Sequence, residues 1–219
     1  FVMAWNCTQW VFCALVAVLA LVLGVGHESQ FVFTPEKMHE IARNSVEKRK
    51  ETGGSVQDLV DDVVDQLRKE YPKYIAAEPQ WMFNNAGGAM GSMLVLHASL
   101  SEYVIIFGTA VGTEGHTGRF LSDDYFTILH GEQWAFSAGK LEKEVYTPGM
   151  QHLMSKGDAK QYRMPDECWA LEYARGNIVS MLPFGLADIF FSTLDLWTLW
   201  KTVSVSAMNM IQMLLIGKI

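Results

Sequence analysis

The chain has 219 residues, of which 50% are hydrophobic and 19% are charged, and its formal net charge is −7. A chain of this length and apolar content can bury one sizeable core, so we expect one domain, with or without appendages. The acidic balance and the scattered Lys and Arg side chains argue against a nucleic-acid partner, because binding to phosphates requires clustered basic residues.

The N-terminal segment, residues 1–30, is predicted to be a transmembrane anchor. Its first charged side chain is Glu28, and the stretch from Trp10 to Gly26 is almost wholly apolar. Since about 20 apolar residues are needed to cross a bilayer, the segment is long enough. A cleaved signal peptide is the alternative, but the basic n-region and the small-residue cleavage site that it should carry are not visible.

Residues 31–78 are predicted to form helices that cover the core. Thr34 is a suitable N-cap for the first helix, Pro35 fits its first position, and Gly53 stops it. Ser55 opens a second helix, in which apolar residues recur at helical spacing and acidic residues fill the opposite face. This pattern ends at Tyr71, which precedes a proline.

Short apolar runs separated by glycines follow in residues 79–178, and they are typical of strands in a β-sandwich or a small barrel. The glycine pair at 87–88 is not a phosphate loop, because no Lys-Ser or Lys-Thr follows it and no Gly-x-Gly-x-x-Gly opens a helix. The clearest apolar runs are 93–97, 103–107, 125–129 and 168–174.

Residues 179–219 are again apolar, with few charges. The longest uncharged stretch, from Thr202 to Gly217, is shorter than a full membrane crossing and contains several polar side chains. We therefore predict amphipathic helices that lie on the membrane. The alternative is a pair of helices packed on the barrel as part of the core, and the two arrangements are compatible.

Glu172 is the acid whose surroundings most need an explanation. It lies in a run that is otherwise apolar or aromatic, and a desolvated carboxylate must be neutralised, paired or used. In a strand it shares a face with Cys168, Ala170 and Ala174, whose small side chains leave room above it. The pattern fits the floor of a ligand site, and the alternative is a structural acid bonded to backbone amides or Tyr hydroxyls.

The neighbouring acids Asp123 and Asp124 form a second candidate. In a strand they face opposite ways, and Asp124 shares the side of Phe126. The alternative is a solvated turn that follows the glycines of residues 115–118.

Three stretches together resemble the family of sterol C-8 isomerases (Δ8-Δ7 sterol isomerases) and sigma-1 receptors. The resemblance extends from the N-terminal segment nearly to the last residue. The stretches that carry it are Asn85-Ala86-Gly87-Gly88, then residues 97–103 leading into Phe107-Gly108-Thr109-Ala110, and Glu172-Tyr173-Ala174-Arg175-Gly176 followed by Leu186-Ala187-Asp188.

The resemblance implies an α+β fold in four parts. Residues 1–30 are the N-terminal transmembrane helix, residues 31–78 a helical segment that covers the barrel, residues 79–178 a cupin-like β-barrel, and residues 179–219 amphipathic helices on the membrane. It also implies residence in the endoplasmic reticulum membrane and a homotrimer. The expected partners are a sterol substrate, cationic amine inhibitors and membrane lipid.

Within the family, the chain looks like the isomerase branch. Residues 122–126 and 161–172 are similar to fungal-type isomerases, whereas the receptor branch carries an aspartate in place of Phe126 and a tryptophan in place of Ala89. An acid at Asp124 lies one strand period from Phe126, so it stays on the same face and can still meet Glu172.

The resemblance implies a reaction that moves the Δ8 double bond of a sterol intermediate to Δ7 in ergosterol-type biosynthesis. This step requires a proton delivered to C9, a tertiary cation at C8 and loss of a C7 proton, and no redox cofactor. Two buried carboxyls that share one proton supply both an acid and a stabilising anion. We expect Glu172 as the anionic partner or base and Asp124 as the proton donor, or the reverse, with Asp123 as the other candidate for the pair.

The resemblance places Tyr103 beside Glu172, where its hydroxyl would donate a hydrogen bond to the carboxylate. Glu102 faces the other side of its strand and is expected to be a structural acid bonded to backbone amides. No metal is expected, because the His-x-His spacing of metal-binding cupins is absent from the sequence. The expected pocket walls, each also compatible with a plain core position, are Met93, Ile105, Phe107, Phe126, Tyr162, Met164, Leu182 and Gly185.

Two other functions stay open at the level of the sequence. A non-catalytic receptor similar to the sigma-1 branch would use the same carboxylate to hold cationic amphiphiles and sterols. A structural scaffold would require Glu172 to be fully bonded by protein groups, with no cavity above it.

Overall fold

The computed structural model describes residues 9–13 and 24–219, and its fold is α+β. Most of the predicted anchor over residues 1–30 lies outside these residues, so the anchor stays a prediction. Within the two described ranges, no helix combines the length and the apolar character that a bilayer crossing requires.

Within residues 31–78, which are all described, two helices precede the strands, as predicted. Helix α1 spans Pro35–Thr52 and α2 spans Val56–Glu70. Thr34 caps the first turn of α1 through its side chain, Gly53 ends α1 in the left-handed conformation at φ 69°, and Ser55 caps α2. The apolar face of α2 is buried in a core that also includes one face of the larger sheet.

Ten strands in the described part of the chain form two antiparallel sheets. The larger sheet has the order β1-β2-β3-β10-β5-β8, and the smaller one has the order β4-β9-β6-β7. The strands are β1 Trp81–Ala86, β2 Ala89–Ala98, β3 Glu102–Thr109, β4 Thr113–His116, β5 Ser122–His130, β6 Gln133–Phe136, β7 Glu144–Tyr146, β8 Gln151–Met154, β9 Gln161–Met164 and β10 Cys168–Gly176.

The expected cupin-like barrel is wrong in one respect, because the described strands form two separate sheets and not a closed barrel. The free edge of β1 does not continue into another strand. Instead, the ammonium group of Lys201 donates to the Trp81 carbonyl at 2.8 Å, so a C-terminal helix meets this edge. Where the sheets approach each other, the His116 amide donates to the Gly87 carbonyl at 2.9 Å.

Successive side chains of the strand β10 point to opposite faces of the larger sheet, and each face belongs to a different hydrophobic core. Leu171 and Tyr173 face the core shared with α1 and α2. Cys168 and Ala170 face a second core between the sheets, on the side that carries Glu172. The predicted alternation of this strand is therefore confirmed.

The C-terminal part packs on the sheets with one face and exposes the other. A 3₁₀ turn leads into α3, Leu182–Asp188, and a π-helical turn connects α3 to α4, Leu196–Leu215. Thr202 and Ser206 of α4 are buried, whereas Trp197 is 75% exposed. The alternative expectation, helices packed on the sheets, is confirmed for the buried face, and the predicted contact with a membrane stays a prediction.

Glu102, at the start of β3, holds the segment before α1 and the C-terminal end of the chain against the sheet. Its fully buried carboxylate accepts hydrogen bonds from the amides of Val32 at 2.7 Å and Phe33 at 3.0 Å and from the Tyr173 hydroxyl at 2.7 Å. The ammonium group of Lys218 lies 2.9 Å from the same carboxylate. The expected structural acid is thus bonded on all sides.

We expect Glu102→Gln to lower the free energy of unfolding by about 3–5 kcal/mol, because it leaves the buried Lys218 ammonium without its counter-charge. Denaturant unfolding of the full chain, followed by tryptophan fluorescence, measures the loss. The matched control is Glu47→Gln, which removes an exposed partner of Arg43 and should cost about 0.5 kcal/mol or less. Equal losses in the two variants would contradict the anchoring role of Glu102.

Candidate functional site

A cavity lies between the two sheets and the C-terminal helices. The empty space is about 1120 Å³, which includes its open mouth. Most of its walls are apolar. Side chains of both sheets, of α3 and of α4 contribute, among them Met93, Phe107, Tyr162, Leu186 and Met210.

Glu172 lies on the cavity face of β10, between two apolar neighbours. In the register of the sheet, Ile105 of β3 is its partner on one side and Phe126 of β5 is its partner on the other. All three residues line the cavity. The carboxyl group therefore lies in a row of apolar side chains and faces the cavity.

Asp124 is the acid that meets Glu172. It is the partner of Ala174 on β10, which places it diagonally across from Glu172 on the same face. Asp124 Oδ1 is buried and receives no hydrogen bond from any donor in the described part of the chain. When protonated, Asp124 donates a hydrogen bond to Glu172. A proton shared between the two acids thus supplies a hydrogen bond that the surrounding side chains do not supply.

Burial raises the pKa of both acids. Removal from water raises the pKa of Glu172 to about 7, and the hydrogen bond from Asp124 opposes this rise. The pKa of Asp124 is raised further by burial, by the charge of Glu172 and by the proton that it donates. At neutral pH the pair therefore keeps at least one proton, which the two acids share.

Two tyrosines lie close to the pair. Burial and the charge of Glu172 raise the pKa of both Tyr103 and Tyr162, so both hydroxyls are protonated donors at neutral pH. The expected hydrogen bond from Tyr103 to Glu172 is not among the described contacts. Tyr103 is the register partner of Ala174, its oxygen accepts a hydrogen bond from Ser206, and its hydroxyl lies 3.9 Å from Met93 Sδ.

Asp123 does not reach the cavity. The alternation of β5 turns it to the opposite face, and its Oδ1 accepts a hydrogen bond from the Lys156 amide at 2.9 Å. Asp123 therefore stabilises the loop at Lys156. Of the two neighbouring aspartates, the structure brings only Asp124 to Glu172.

The expected wall residues lie where the sequence predicted, with one exception. Met164 is fully buried in the core between the sheets and does not line the cavity, because it lies at the end of β9. The predicted wall residues that do line it are Met93, Ile105, Phe107, Phe126, Tyr162, Leu182 and Gly185.

Several lining residues were missed by sequence reasoning. Gln133 and His152 come from short strands whose sequences show no clear alternation of polar and apolar residues. Thr202 and Ser206 are among the polar residues of a largely apolar helix. The polar residues of α4 offered a usable signal, because a polar stripe on an apolar helix indicates a face turned to a polar or mixed site. Within residues 9–13 and 24–219, no group of three or more His, Cys, Asp or Glu side chains is placed to hold a metal ion.

Sequence comparison relates most of the chain to known proteins. The profile of a family described as "ERG2 and Sigma1 receptor like protein" matches residues 10–218. The chain is 49% identical over 210 residues to a C-8 sterol isomerase of Pyricularia oryzae, covering 95% of this chain and 94% of that protein. It is 41% identical over 184 residues to the sigma non-opioid intracellular receptor 1 of Danio rerio, covering 83% of this chain and 80% of that protein.

Among solved structures, the chain is similar to an RmlC-like cupin from Shewanella frigidimarina. The TM-score is 0.37 and the sequence identity is 14%, and the match covers 44% of this chain and 85% of that protein.

Replacement of Glu172 by Gln should stabilise the protein at neutral and alkaline pH. A folded-state pKa raised from 4.5 to about 7 means that the folded protein binds this proton more tightly than the unfolded chain. The stabilisation is complete below the unfolded pKa and is lost as the pH rises through about 7. Glu172→Gln should therefore gain on the order of 1–3 kcal/mol over the wild type across this window.

Denaturant unfolding at several pH values measures the difference between the variant and the wild type. Glu142→Gln, at an exposed position, is the matched control and should give a difference that does not change with pH. A flat difference for Glu172→Gln as well would contradict the raised pKa.

Proposed function

The chain belongs to the ERG2 and sigma-1-receptor-like family, and on this premise we propose that it is a sterol C-8 isomerase that moves the Δ8 double bond of a sterol to Δ7. The observation that carries the proposal is the Asp124–Glu172 pair, held between apolar rows on the wall of a cavity. The similarity to the isomerase of Pyricularia oryzae supports the same reaction.

The pair has the chemistry that alkene migration requires. Asp124 transfers its proton to C9 of the substrate, which leaves a tertiary cation at C8. The Glu172 carboxylate then removes a proton from C7, the C7–C8 double bond forms, and proton exchange within the pair restores the starting state. The roles of the two acids can also be exchanged, because a shared proton belongs to the pair.

The apolar rows beside Glu172 serve the same reaction. An isolated alkene is a very weak base, so the acid must act without competing water, and the cation must not be captured by water. Ile105 and Phe126 flank the carboxyl and leave it open only toward the cavity. In this water-poor setting the anionic partner stabilises the developing cation strongly.

The same arrangement explains why cationic amines are expected partners. A protonated amine at the position of C8 resembles the cationic intermediate, so it should bind more tightly than the neutral substrate. A receptor that only binds amines would use the same acids, and the similarity to a sigma receptor favours this as the second candidate. Conversion of a Δ8-sterol to its Δ7 product separates the two.

Membrane lipid is the proposed partner of the exposed face of the C-terminal helices. Side chains of these helices line the cavity, so a sterol that leaves the bilayer beside them reaches the site without crossing water. The homotrimer and the residence in the endoplasmic reticulum membrane rest on the family resemblance and belong to the same proposal. The exposed apolar side chains on this face are Phe190, Phe191, Leu194, Leu196, Trp197, Trp200, Ile211 and Leu215.

Loss of either acid should abolish the reaction. We expect Glu172→Gln and Asp124→Asn each to lower kcat by about 100-fold or more, because each removes a proton-transfer group. The measurement is the rate at which the purified protein converts a Δ8-sterol to its Δ7 isomer, followed by gas chromatography with mass detection. Asp123→Asn is the matched control and should stay within a few-fold of the wild type. Undiminished activity in either Glu172→Gln or Asp124→Asn would refute the mechanism.

The lipid contact of the C-terminal helices predicts which tryptophans approach the bilayer. In vesicles that contain brominated lipid, we expect quenching of the protein fluorescence to fall in Trp197→Phe and in Trp200→Phe, since both side chains are exposed on the apolar face. Trp134→Phe, on the smaller sheet, is the matched control and should leave the quenching unchanged. Equal quenching in all three variants would contradict the proposed orientation.

A further inference from the structure

A second polar surface lines the same cavity, away from the two acids. It consists of Gln133 on β6 and His152 on β8, which both line the cavity and are only 3% and 4% exposed. The mechanism above does not use them. Tyr146 connects the two, because it is the register partner of Gln133 and stacks on His152 with ring centroids 4.5 Å apart.

Gln133 has an unused acceptor. Its Oε1 atom is buried and receives no hydrogen bond from any described residue. An unpaired buried carbonyl costs free energy, so this atom needs a hydrogen-bond donor from outside the described side chains, and a ligand in the cavity can supply one.

His152 offers a donor. Burial and the ammonium group of Lys160 lower its pKa to about 4, so the ring is neutral at neutral pH. The Nε2 atom lies 3.0 Å from the Lys160 Nζ atom and accepts a hydrogen bond from this ammonium group. The ring proton of the neutral imidazole is therefore on Nδ1.

The charges behind these side chains cancel. Lys160 forms an ion pair with Glu144, which also accepts a hydrogen bond from the Tyr146 hydroxyl at 2.8 Å. Neither Lys160 nor Glu144 lines the cavity. The surface that faces the cavity thus presents one neutral donor and one neutral acceptor, which does not fit an anion or a cation.

We propose that Gln133 and His152 form a hydroxyl-binding subsite, which holds the ring-A hydroxyl of the sterol and so places its C8–C9 bond at Asp124 and Glu172. A hydroxyl is both a donor and an acceptor. It can donate to Gln133 Oε1 and accept from His152 Nδ1, and the rest of a sterol is apolar like the remaining walls. This inference rests on the proposed isomerase function and names the group by which the substrate is positioned.

The register of the sheet supports the spacing. His152 is the partner of Phe126, and Phe126 is the partner of Glu172, so the histidine and the acid lie two strands apart in one row. Two strand spacings correspond to about 10 Å. In a sterol, five single bonds of about 1.5 Å separate the hydroxyl oxygen from C9 and span roughly 6 Å. With a hydrogen bond and a near-attack contact of about 3 Å each, the total reach is about 12 Å, which is enough to cover the separation of the two strands.

The test compares a Δ8-sterol that carries the 3-hydroxyl with its 3-deoxy analogue, using the full-length protein. The wild type should convert the hydroxylated sterol with a kcat/KM about 10–100-fold higher than the analogue, because the analogue leaves both polar groups unpaired. Gln133→Met should lose most of this preference, chiefly through a higher KM for the hydroxylated sterol. Gln161→Met, on an exposed face, is the matched control and should keep the preference.

Binding of a protonated tertiary amine, which depends on Asp124 and Glu172, checks that Gln133→Met is folded. If that variant fails to bind the amine, His152→Phe is measured in its place and should lose the same preference. A wild type that does not distinguish the two sterols, or a folded variant that still distinguishes them, would overturn the subsite.

A wrong assignment of the isomerase function can be distinguished from a wrong assignment of the subsite. If the wild type converts neither sterol, the equilibrium binding of the two sterols is compared instead. Preferential binding of the hydroxylated sterol that Gln133→Met abolishes supports the subsite without the reaction, and equal binding overturns it.

Discussion

The site depends on one constraint, which is that Glu172 and Asp124 occupy a place where a single carboxylate would be costly. Neighbouring positions on both adjacent strands are Ile105 and Phe126, which offer no hydrogen bonds. Among the described residues, Asp124 is the one hydrogen-bond partner of Glu172. Two acids in such a place lower their cost by sharing a proton, and a shared proton that is exposed to an apolar cavity is a proton available for chemistry.

The same sheet contains a second buried acid with the opposite fate. Glu102 accepts three hydrogen bonds and pairs with Lys218, so its charge is fully compensated. It lies in the core under the N-terminal helices, whereas Glu172 faces the space between the sheets. The surrounding donors, and not the residue type, separate a structural acid from a reactive one.

The cavity joins three chemical surfaces that suit one elongated, mostly apolar ligand. The acidic pair lies on the larger sheet, His152 lies two strands from Glu172 in the same sheet, and Gln133 lines the cavity from the smaller sheet, while side chains of the C-terminal helices complete the lining. A sterol carries corresponding groups, with one hydroxyl, a rigid apolar body and an internal alkene. The polar residues Thr202 and Ser206 complete the wall where the helices cross the sheet.

The sequence by itself determined the local features: the caps at Thr34 and Ser55, the strand at Glu172 with its alternating faces, and the family, because these depend on neighbours along the chain. It also placed Asp124 on the correct face, since that follows from a period of two residues. Only the tertiary structure decided that the strands form two sheets and that Asp123 accepts a hydrogen bond from the Lys156 amide. It also decided that Gln133 and His152 line the same cavity as Glu172. These relations involve residues far apart in the chain. They depend on the order of the strands and on contacts at the sheet edges, and a local sequence pattern does not encode either.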